Sequence, residues 1–213
     1  MSIAVRRLGS VDYATSYRAM LDYVAERKDF PHQRGDEFWC LQHPPVYTLG
    51  KAGKREHILN PGNIAIVETD RGGQVTYHGP GQVVVYIMLK LKDYGIGPKS
   101  LVRHIESGVI RSLSEYGIDA QRRNGAPGVY VQDRKIASLG LRIKSGISYH
   151  GVAVNVDMDL APFSGINPCG YAGLEVTRLA DHRVDVSCDD YCDVLIEHLQ
   201  AQFFSEAQPN MVS

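Results

Sequence analysis

The chain is organised around a glycine-rich stretch that turns abruptly into a strand, Asp70-Arg-Gly-Gly-Gln-Val-Thr-Tyr-His-Gly-Pro-Gly-Gln-Val-Val-Val-Tyr86. Its glycines permit close approaches that a side chain would forbid, whereas residues 83–87 have the composition of a buried strand. A polar loop braced by a core strand is a common way to build a binding site. Taken alone, the pattern also fits a β-hairpin with a wide turn. A phosphate loop is disfavoured, because no Walker-type lysine-serine pair or helix start follows the glycines.

Length and composition indicate a single globular domain. The 213 residues, of which 44% are hydrophobic, are enough to bury a core, and we expect one domain over residues 1–213. The formal net charge of -1 argues against a surface built for nucleic acid or an anionic membrane. No apolar run approaches the roughly 18 residues of a membrane-spanning helix, and the first residues lack the apolar region of a signal peptide. We therefore expect a cytoplasmic protein whose cysteines are reduced thiols.

Apolar periodicity predicts an α+β domain, with helices packed on a mixed or antiparallel sheet. A first helix follows Ser10 as N-cap, a second runs from Pro98 to Gly117, and a last one begins with a capping box of Ser187 and Asp190. Strand-like segments lie at 37–42, 46–49, 64–67, 83–87, 118–121, 128–131, 135–143 and 147–156. Short turns separate the last four, which predicts an antiparallel meander.

Cys169 is the candidate nucleophile of the chain. Pro168 and Gly170 fix a tight bend around it, so its thiol would be displayed on a turn rather than buried in a strand or helix. The N–H of Gly170 could donate to an oxyanion formed on an attacked carbonyl. An inert loop cysteine is the competing interpretation.

Lys135 is the candidate partner of that thiol, because a nearby ammonium would stabilise the thiolate. It opens the strand-like run Lys135 to Ile143. Strand alternation predicts that Lys135 and Ala137 share one face while Ser138 lies on the other, unless Gly140 introduces a bulge. A solvent-facing strand lysine is the competing interpretation.

Two tripeptides echo each other, Tyr77-His-Gly79 and Tyr149-His-Gly151. One interpretation pairs a histidine with Cys169 in a Cys–His nucleophile. Another is a metal site built by Cys169, His78 and His150. Neither has diagnostic spacing, so both remain open at this point.

Four motifs in the same order resemble the lipoyl (octanoyl) transferases, the octanoyl-acyl carrier protein:protein octanoyltransferases. They are Arg71 to Gln82, Gly128 to Val131, Lys135 to Gly140 and Asn167 to Gly170. The resemblance extends from about residue 43 to about residue 173, without a departure at the chemical positions. It implies a fold shared with biotin and lipoate protein ligases, a cytoplasmic location, and the first step of endogenous lipoate biosynthesis.

The same resemblance implies the roles of individual residues. Cys169 corresponds to the family's nucleophile and Lys135 to its lysine partner. The implied substrate-binding residues are Arg71, Gly72, Gly73, Gln74, Val75, Thr76, Tyr77, His78, Ser138, Leu139, Gly140, Gly151, Val152 and Ala153. The echoed tripeptides then become two walls of one pocket. No metal and no cofactor are expected, because the acyl donor is carried on the phosphopantetheine of acyl carrier protein.

Residue chemistry and resemblance together predict a ping-pong acyl transfer. Cys169 would take the octanoyl group from acyl carrier protein, and the ε-amine of a lysine on a lipoyl domain would then take it from Cys169 without ATP. The expected acceptors are the glycine cleavage H protein and the E2 subunits of 2-oxoacid dehydrogenases. Since both kinds of partner are typically acidic, we expect a basic docking patch. Its candidates are Lys51, Lys54, Arg55, Arg122, Arg123, Arg142 and Lys144.

Two alternatives compete with this function. An ATP-dependent lipoate or biotin ligase would use the same fold, with Lys135 contacting the substrate carboxylate and Cys169 incidental. A non-catalytic module that binds acyl groups or lipoyl domains would keep its partner when Cys169 is replaced. ATP-dependent transfer of the free acid distinguishes the first alternative, and indifference to Cys169→Ser distinguishes the second.

Overall fold

The computed structural model describes residues 2–30, 32–168 and 173–204, which contain ten strands and three long helices. None of the helices in these ranges is long and apolar enough to cross a bilayer. The strands are β1 (Ile3–Ser10), β2 (Asp36–Gln42), β3 (Val46–Leu49), β4 (Ala65–Glu68), β5 (Val75–His78), β6 (Gln82–Met88), β7 (Gln121–Arg122), β8 (Val129–Val131), β9 (Arg134–Lys144) and β10 (Ile147–Asn155). The helices are α1 (Tyr13–Asp29), α2 (Pro98–Ser114) and α3 (Cys188–Phe204).

The strands form two sheets. The larger has the order β1-β2-β6-β10-β9-β8-β7, in which β1 and β2 are parallel and every other pair is antiparallel. The smaller has the order β4-β3-β5, with β3 parallel to β4 and antiparallel to β5. The predicted α+β class and the meander from β7 to β10 are confirmed. The first strand of that meander is Gln121–Arg122 rather than the predicted 118–121.

The hairpin interpretation of the glycine-rich stretch is wrong, because β5 and β6 belong to different sheets. The turn between them contains Pro80, which has no N–H to donate, and Gly81, whose φ of 84° is a left-handed conformation that favours glycine. The N–H of Gly81 donates to the side-chain oxygen of Gln42, 2.8 Å away, at the end of β2. This turn carries the chain from the small sheet to β6 of the large one, where β6 lies between β2 and β10.

Strand β6 is buried on both faces, which explains its uninterrupted apolar run. Val83, Val85 and Ile87 pack with α2 and α3, whereas the alternate residues Val84 and Tyr86 pack with α1. Complete burial of one such side chain stabilises the fold by roughly 1.5–3 kcal/mol. Antiparallel strands often show one solvated face, but here helices cover both sides of the sheet.

The helix ends follow capping chemistry, with one correction. The predicted N-cap Ser10 instead ends β1, and Asp12 caps α1 by accepting the N–H of Thr15 at 3.0 Å. The predicted capping pair of α3 is confirmed. The N–H of Asp190 donates to the Ser187 hydroxyl at 3.1 Å, and that hydroxyl donates to the Asp190 carboxylate at 2.7 Å.

Candidate active site

A mostly apolar pocket lies between the large sheet and the glycine-rich stretch that leads into β5. Strands β6, β9 and β10 supply one wall, and residues 71–78 supply the other. All of the predicted substrate-binding residues line it except Gly72 and Tyr77. Gly72 lines an adjoining apolar groove, and the ring of Tyr77 packs in the small-sheet core, 5.5 Å from that of Phe163. The structure therefore brings together three segments that are distant in the sequence.

The guanidinium of Arg71 holds the glycine-rich wall in place. It is buried and donates to the carbonyl of Thr48 at 2.6 Å, to the Thr48 hydroxyl at 2.8 Å and to the carbonyl of Gln74 at 2.8 Å. Its side chain also packs against β9, where a Cβ on Gly140 would lie 2.8 Å from Cδ of Arg71. Arg71 thus ties the loop to β3, and Gly140 leaves room for it.

Lys135 also lines the pocket and is only 2% exposed, so the interpretation as a solvent-facing strand residue is wrong. Its Nζ donates to the carbonyl of Pro127 at 3.2 Å and lies 5.2 Å from the centre of the Tyr130 ring. Lysine is almost never buried unless its ammonium has partners, because desolvating the charge is costly. A buried ammonium at the wall of an apolar pocket is therefore a candidate for chemistry.

A β-bulge decides which face of β9 carries the Lys135 side chain. Strand alternation alone did not predict this bulge. Val129 pairs with Ala137 while Tyr130 pairs with Lys135, so Ile136 is an extra residue in β9. Because of this residue, Lys135 and Ser138 line the same pocket, although alternation places them on opposite faces. Gly140, the position named from the sequence as a possible exception to alternation, pairs regularly with β10.

His150 and Asp70 form a hydrogen-bonded pair at the pocket. Nε2 of His150 donates to one oxygen of Asp70 at 3.0 Å, and the hydroxyl of Tyr149 donates to the other oxygen. Burial opposes the ionisation of Asp70, but these hydrogen bonds outweigh it and hold the pKa of the carboxyl well below its usual range. Nδ1 of His150 then carries a lone pair, for which the described residues supply no hydrogen-bond partner. Asp70 was missed as a site residue, although it immediately precedes the glycine-rich motif.

His78 and His43 are buried and neutral. Nδ1 of His78 donates to the side-chain oxygen of Gln82 at 2.7 Å, and burial lowers the pKa of His78 to about 3. Nδ1 of His43 donates to the carbonyl of Val11 at 2.7 Å, and burial lowers the pKa of His43 as well. Within the described ranges, no group of three potential ligands is placed to hold a metal ion.

Cys169 and Gly170 lie outside the described residues, so the pairing of Cys169 with Lys135 and the donor role of Gly170 stay predictions, and the alternative metal site that included Cys169 stays untested. The chain that precedes them is held by the N–H of Asn167, which donates to the carbonyl of His57 at 2.8 Å. The chain that follows them pairs with Lys135 itself, whose N–H donates to the carbonyl of Glu175 at 2.9 Å. Residue 175 therefore lies beside the candidate partner lysine.

The predicted docking patch is partly neutralised by acids of the same chain. The pairs are Lys54 with Glu56 (3.3 Å), Arg55 with Glu68 (2.6 Å), Arg122 with Glu106 (3.0 Å) and Arg123 with Asp133 (2.6 Å). For Lys51, Arg142 and Lys144, the described part of the chain contains no ion-pair partner. These three residues are the remaining candidates for docking.

Comparison with known proteins agrees with this architecture. Residues 12–200 match the family model of the lipoyl protein ligase A/B catalytic domain. The bipartite lipoate protein ligase from Thermoplasma acidophilum superposes with a TM-score of 0.73 at 18% identity, covering 95% of this chain and 85% of that one. The biotin protein ligase from Aquifex aeolicus superposes with a TM-score of 0.60 at 12% identity, covering 98% of this chain and 72% of that one. The fold is thus that of the biotin and lipoate protein ligases.

The fold and the pocket define a catalytic domain of the lipoyl protein ligase A/B class. An octanoyltransferase from Dechloromonas aromatica (strain RCB) is 54% identical over 202 residues, which cover 95% of this chain and 97% of the relative. The chain belongs to the octanoyltransferase family, and it is an acyltransferase.

Proposed function

We propose that this enzyme moves an octanoyl group from acyl carrier protein to a lysine of a lipoyl domain, through a thioester on Cys169. The observation that carries the proposal is the buried Lys135, whose ammonium lines an apolar pocket beside the chain that follows Cys169. An apolar pocket suits a saturated acyl chain, and a fixed ammonium favours the thiolate of a nearby cysteine.

In the first half-reaction, the Cys169 thiolate attacks the carbonyl carbon of the octanoyl thioester. A carbon–sulfur bond forms to Cys169, and the negative charge moves to the carbonyl oxygen, where the Gly170 N–H is the proposed donor. Collapse of this intermediate breaks the bond to the phosphopantetheine sulfur. The carrier leaves as a thiolate that takes up a proton, for which the Lys135 ammonium is the proposed source. One thioester replaces another, so no external energy source is required.

In the second half-reaction, the neutral ε-amine of the acceptor lysine attacks the octanoyl-Cys169 carbonyl. The new carbon–nitrogen bond makes an amide, the amine proton passes to Lys135, and Cys169 leaves as the thiolate. An amide is much more stable than a thioester, so this step drives the transfer forward. The proposed enzyme therefore uses neither ATP, metal nor a bound cofactor.

The acceptor is proposed to be a lipoyl domain, such as that of an E2 subunit or the glycine cleavage H protein. The lipoate protein ligase that shares this fold was solved as part of a lipoylation system with its E2 lipoyl domain. The groove beside Gly72 adjoins the pocket through Gly73, Gln74, Leu139 and Gly140, which line both. It offers an apolar approach to Lys135 for the arm of either partner.

The proposal predicts a covalent intermediate that a mass spectrum can detect. Incubation with octanoyl-acyl carrier protein alone is expected to add one octanoyl group to the enzyme, because the acceptor amine is absent. Peptide mapping should place the group on Cys169, and Cys169→Ser should show no adduct. Cys40, Cys188 and Cys192 serve as internal controls, since each is buried or half-buried.

Two outcomes would contradict the proposal. An unmodified enzyme, or an adduct that survives in Cys169→Ser, would exclude the Cys169 thioester. Transfer of free octanoate to a lipoyl domain only when ATP is added would instead support the ligase alternative. Each reaction should be followed with and without ATP for this reason.

A further inference from the structure

Glu106 stands out because it is a carboxylate on the apolar face of a core helix. It is 5% exposed and lies on α2 between residues that fill the large core, such as Ile105 and Val109. A buried carboxylate is costly unless it is hydrogen-bonded, so its bonds indicate what it is for. One oxygen accepts from Nε of Arg122 at 3.0 Å, and the other accepts from the N–H of Gly128 at 3.0 Å.

The Gly128 N–H belongs to the same peptide unit as the carbonyl that holds Lys135. Nζ of Lys135 donates to the carbonyl of Pro127 at 3.2 Å, and Pro127 and Gly128 share one trans peptide bond. In a trans peptide, the C=O and N–H bonds point in opposite directions from a rigid plane. A carboxylate that fixes the N–H on one side therefore aims the carbonyl on the other side.

The surroundings leave this peptide little freedom to turn. Gly128 has a φ of 140°, and a Cβ there would lie 2.8 Å from Cε of Lys135. The ring of Tyr130 lies beside the ammonium, and its hydroxyl donates to the carbonyl of Ala126 at 3.1 Å. The loop 126–128 is thus held at the helix by Glu106 and meets the lysine along its side chain.

We infer that Glu106 is a positioning residue for the acyl transfer, acting on the Lys135 ammonium through the Pro127–Gly128 peptide unit. Its negative charge also polarises this peptide, because hydrogen bonds in series strengthen one another. Glu106 does not itself line the pocket, so the proposed action is indirect. The inference rests on the proposed role of Lys135 and goes beyond it, since it explains how a buried ammonium is held in one place.

The test is a set of variants whose Cys169 thiol is titrated by alkylation. Glu106→Ala removes the acceptor for the Gly128 N–H, while Glu106→Gln keeps an acceptor and loses the charge. Ser112→Ala is the matched control, because it removes a buried hydrogen bond of the same helix, to Tyr191, 2.9 Å away. The rate of iodoacetamide addition to Cys169 is measured against pH, together with octanoyl transfer to Cys169 and the melting temperature.

The midpoint of the alkylation profile is the pH at which iodoacetamide adds to Cys169 at half of its maximal rate. Glu106→Ala is expected to raise this midpoint by roughly half a pH unit, less than the roughly one unit expected for Lys135→Ala. It should slow octanoylation of Cys169 about tenfold near neutral pH, as a misplaced catalytic group does. Glu106→Gln should recover most of the rate. In the double variant with Lys135→Ala, the Glu106 substitution should add no further shift.

The outcomes separate the inference from the proposal beneath it. If Lys135→Ala moves the midpoint but Glu106→Ala only lowers the melting temperature, as Ser112→Ala does, the positioning role is wrong and the role of Lys135 stands. If Glu106→Ala slows octanoylation of Cys169 by the same factor with and without Lys135→Ala, Glu106 does not act through Lys135 and the inference also fails. If Lys135→Ala itself leaves the midpoint unchanged, the proposed role of Lys135 fails, and the role of Glu106 fails with it.

Discussion

His78 shows what a single buried residue does to the stability of this protein. Burial lowers the pKa of its imidazole to about 3, compared with about 6.5 in an unfolded chain. Between about pH 6.5 and about pH 3, His78 is therefore protonated in the unfolded state and neutral in the folded state, so the free energy of unfolding falls as the pH drops through this range. At about pH 5, His78 lowers the free energy of unfolding by about 2 kcal/mol. Urea unfolding at about pH 7.5 and about pH 5 measures it.

The control for this pH dependence is a histidine outside the core. His78→Gln should flatten the loss of stability between the two pH values, although His43 and His150, whose pKa values burial also lowers, keep part of it. His32→Gln, at an exposed turn, should leave the pH dependence as it is. An equally steep pH dependence in His78→Gln would show that the buried imidazole is not responsible.

At the level of elements, α2 and α3 approach each other closely at Gly108. A Cβ on Gly108 of α2 would lie 2.8 Å from Cδ2 and 3.2 Å from Cα of Leu199 on α3. In an isolated helix, Gly→Ala gains about 1 kcal/mol, but overpacking a core costs typically 1–3 kcal/mol. We therefore expect Gly108→Ala to destabilise the protein by about 1 kcal/mol in urea unfolding.

An exposed position on the same helix supplies the comparison. Ser114→Ala changes a side chain at the exposed end of α2 and should alter stability by less than about 0.5 kcal/mol. A Gly108→Ala variant that is more stable than the wild type would mean that α3 shifts easily to admit a methyl group.

Elements with a strong local signal are predictable from the sequence, and those that depend on distant pairing are not. The apolar period of α2 and the capping box of α3 predict these helices because the signal lies within the element. No local signal places β5 and β6 in different sheets, since each strand's partners come from distant parts of the chain. The bulge at Ile136 likewise depends on the partner strand β8.

The pocket residues that lie within the sequence motifs were predictable. The resemblance identified both walls and Lys135, although the burial of that lysine follows from tertiary packing. Glu106 has no motif around it. The signal that could have found it is a carboxylate at a position where the period of α2 requires an apolar residue.

At the scale of the whole molecule, two of the three charges that remain for docking lie together near the pocket. Arg142 and Lys144 lie at the end of β9, where regular strand alternation places them on the same face as Ser138 and Gly140, which line the pocket. If an acidic carrier docks there, the double variant Arg142→Glu and Lys144→Glu should raise KM for acyl carrier protein about tenfold and leave kcat nearly unchanged. Steady-state kinetics at low and high salt measure this, since screening should shrink the difference.

Lys51→Glu is the comparison for this prediction, because Lys51 is the remaining docking candidate on a different element, the loop between β3 and β4. Its KM should change little if the carrier docks at the β9 end. A larger effect at Lys51 than at the double variant would move the docking surface to the loop before β4.

The peptide unit between Pro127 and Gly128 also allows local opening of the pocket wall to be measured by hydrogen exchange. The Gly128 amide hydrogen is bonded to a buried carboxylate, so it exchanges with solvent deuterium only when the loop leaves α2. Its exchange rate therefore reports how often the loop beside Lys135 opens. Comparing that rate with those of the β6 amides separates opening of this wall from unfolding of the entire molecule.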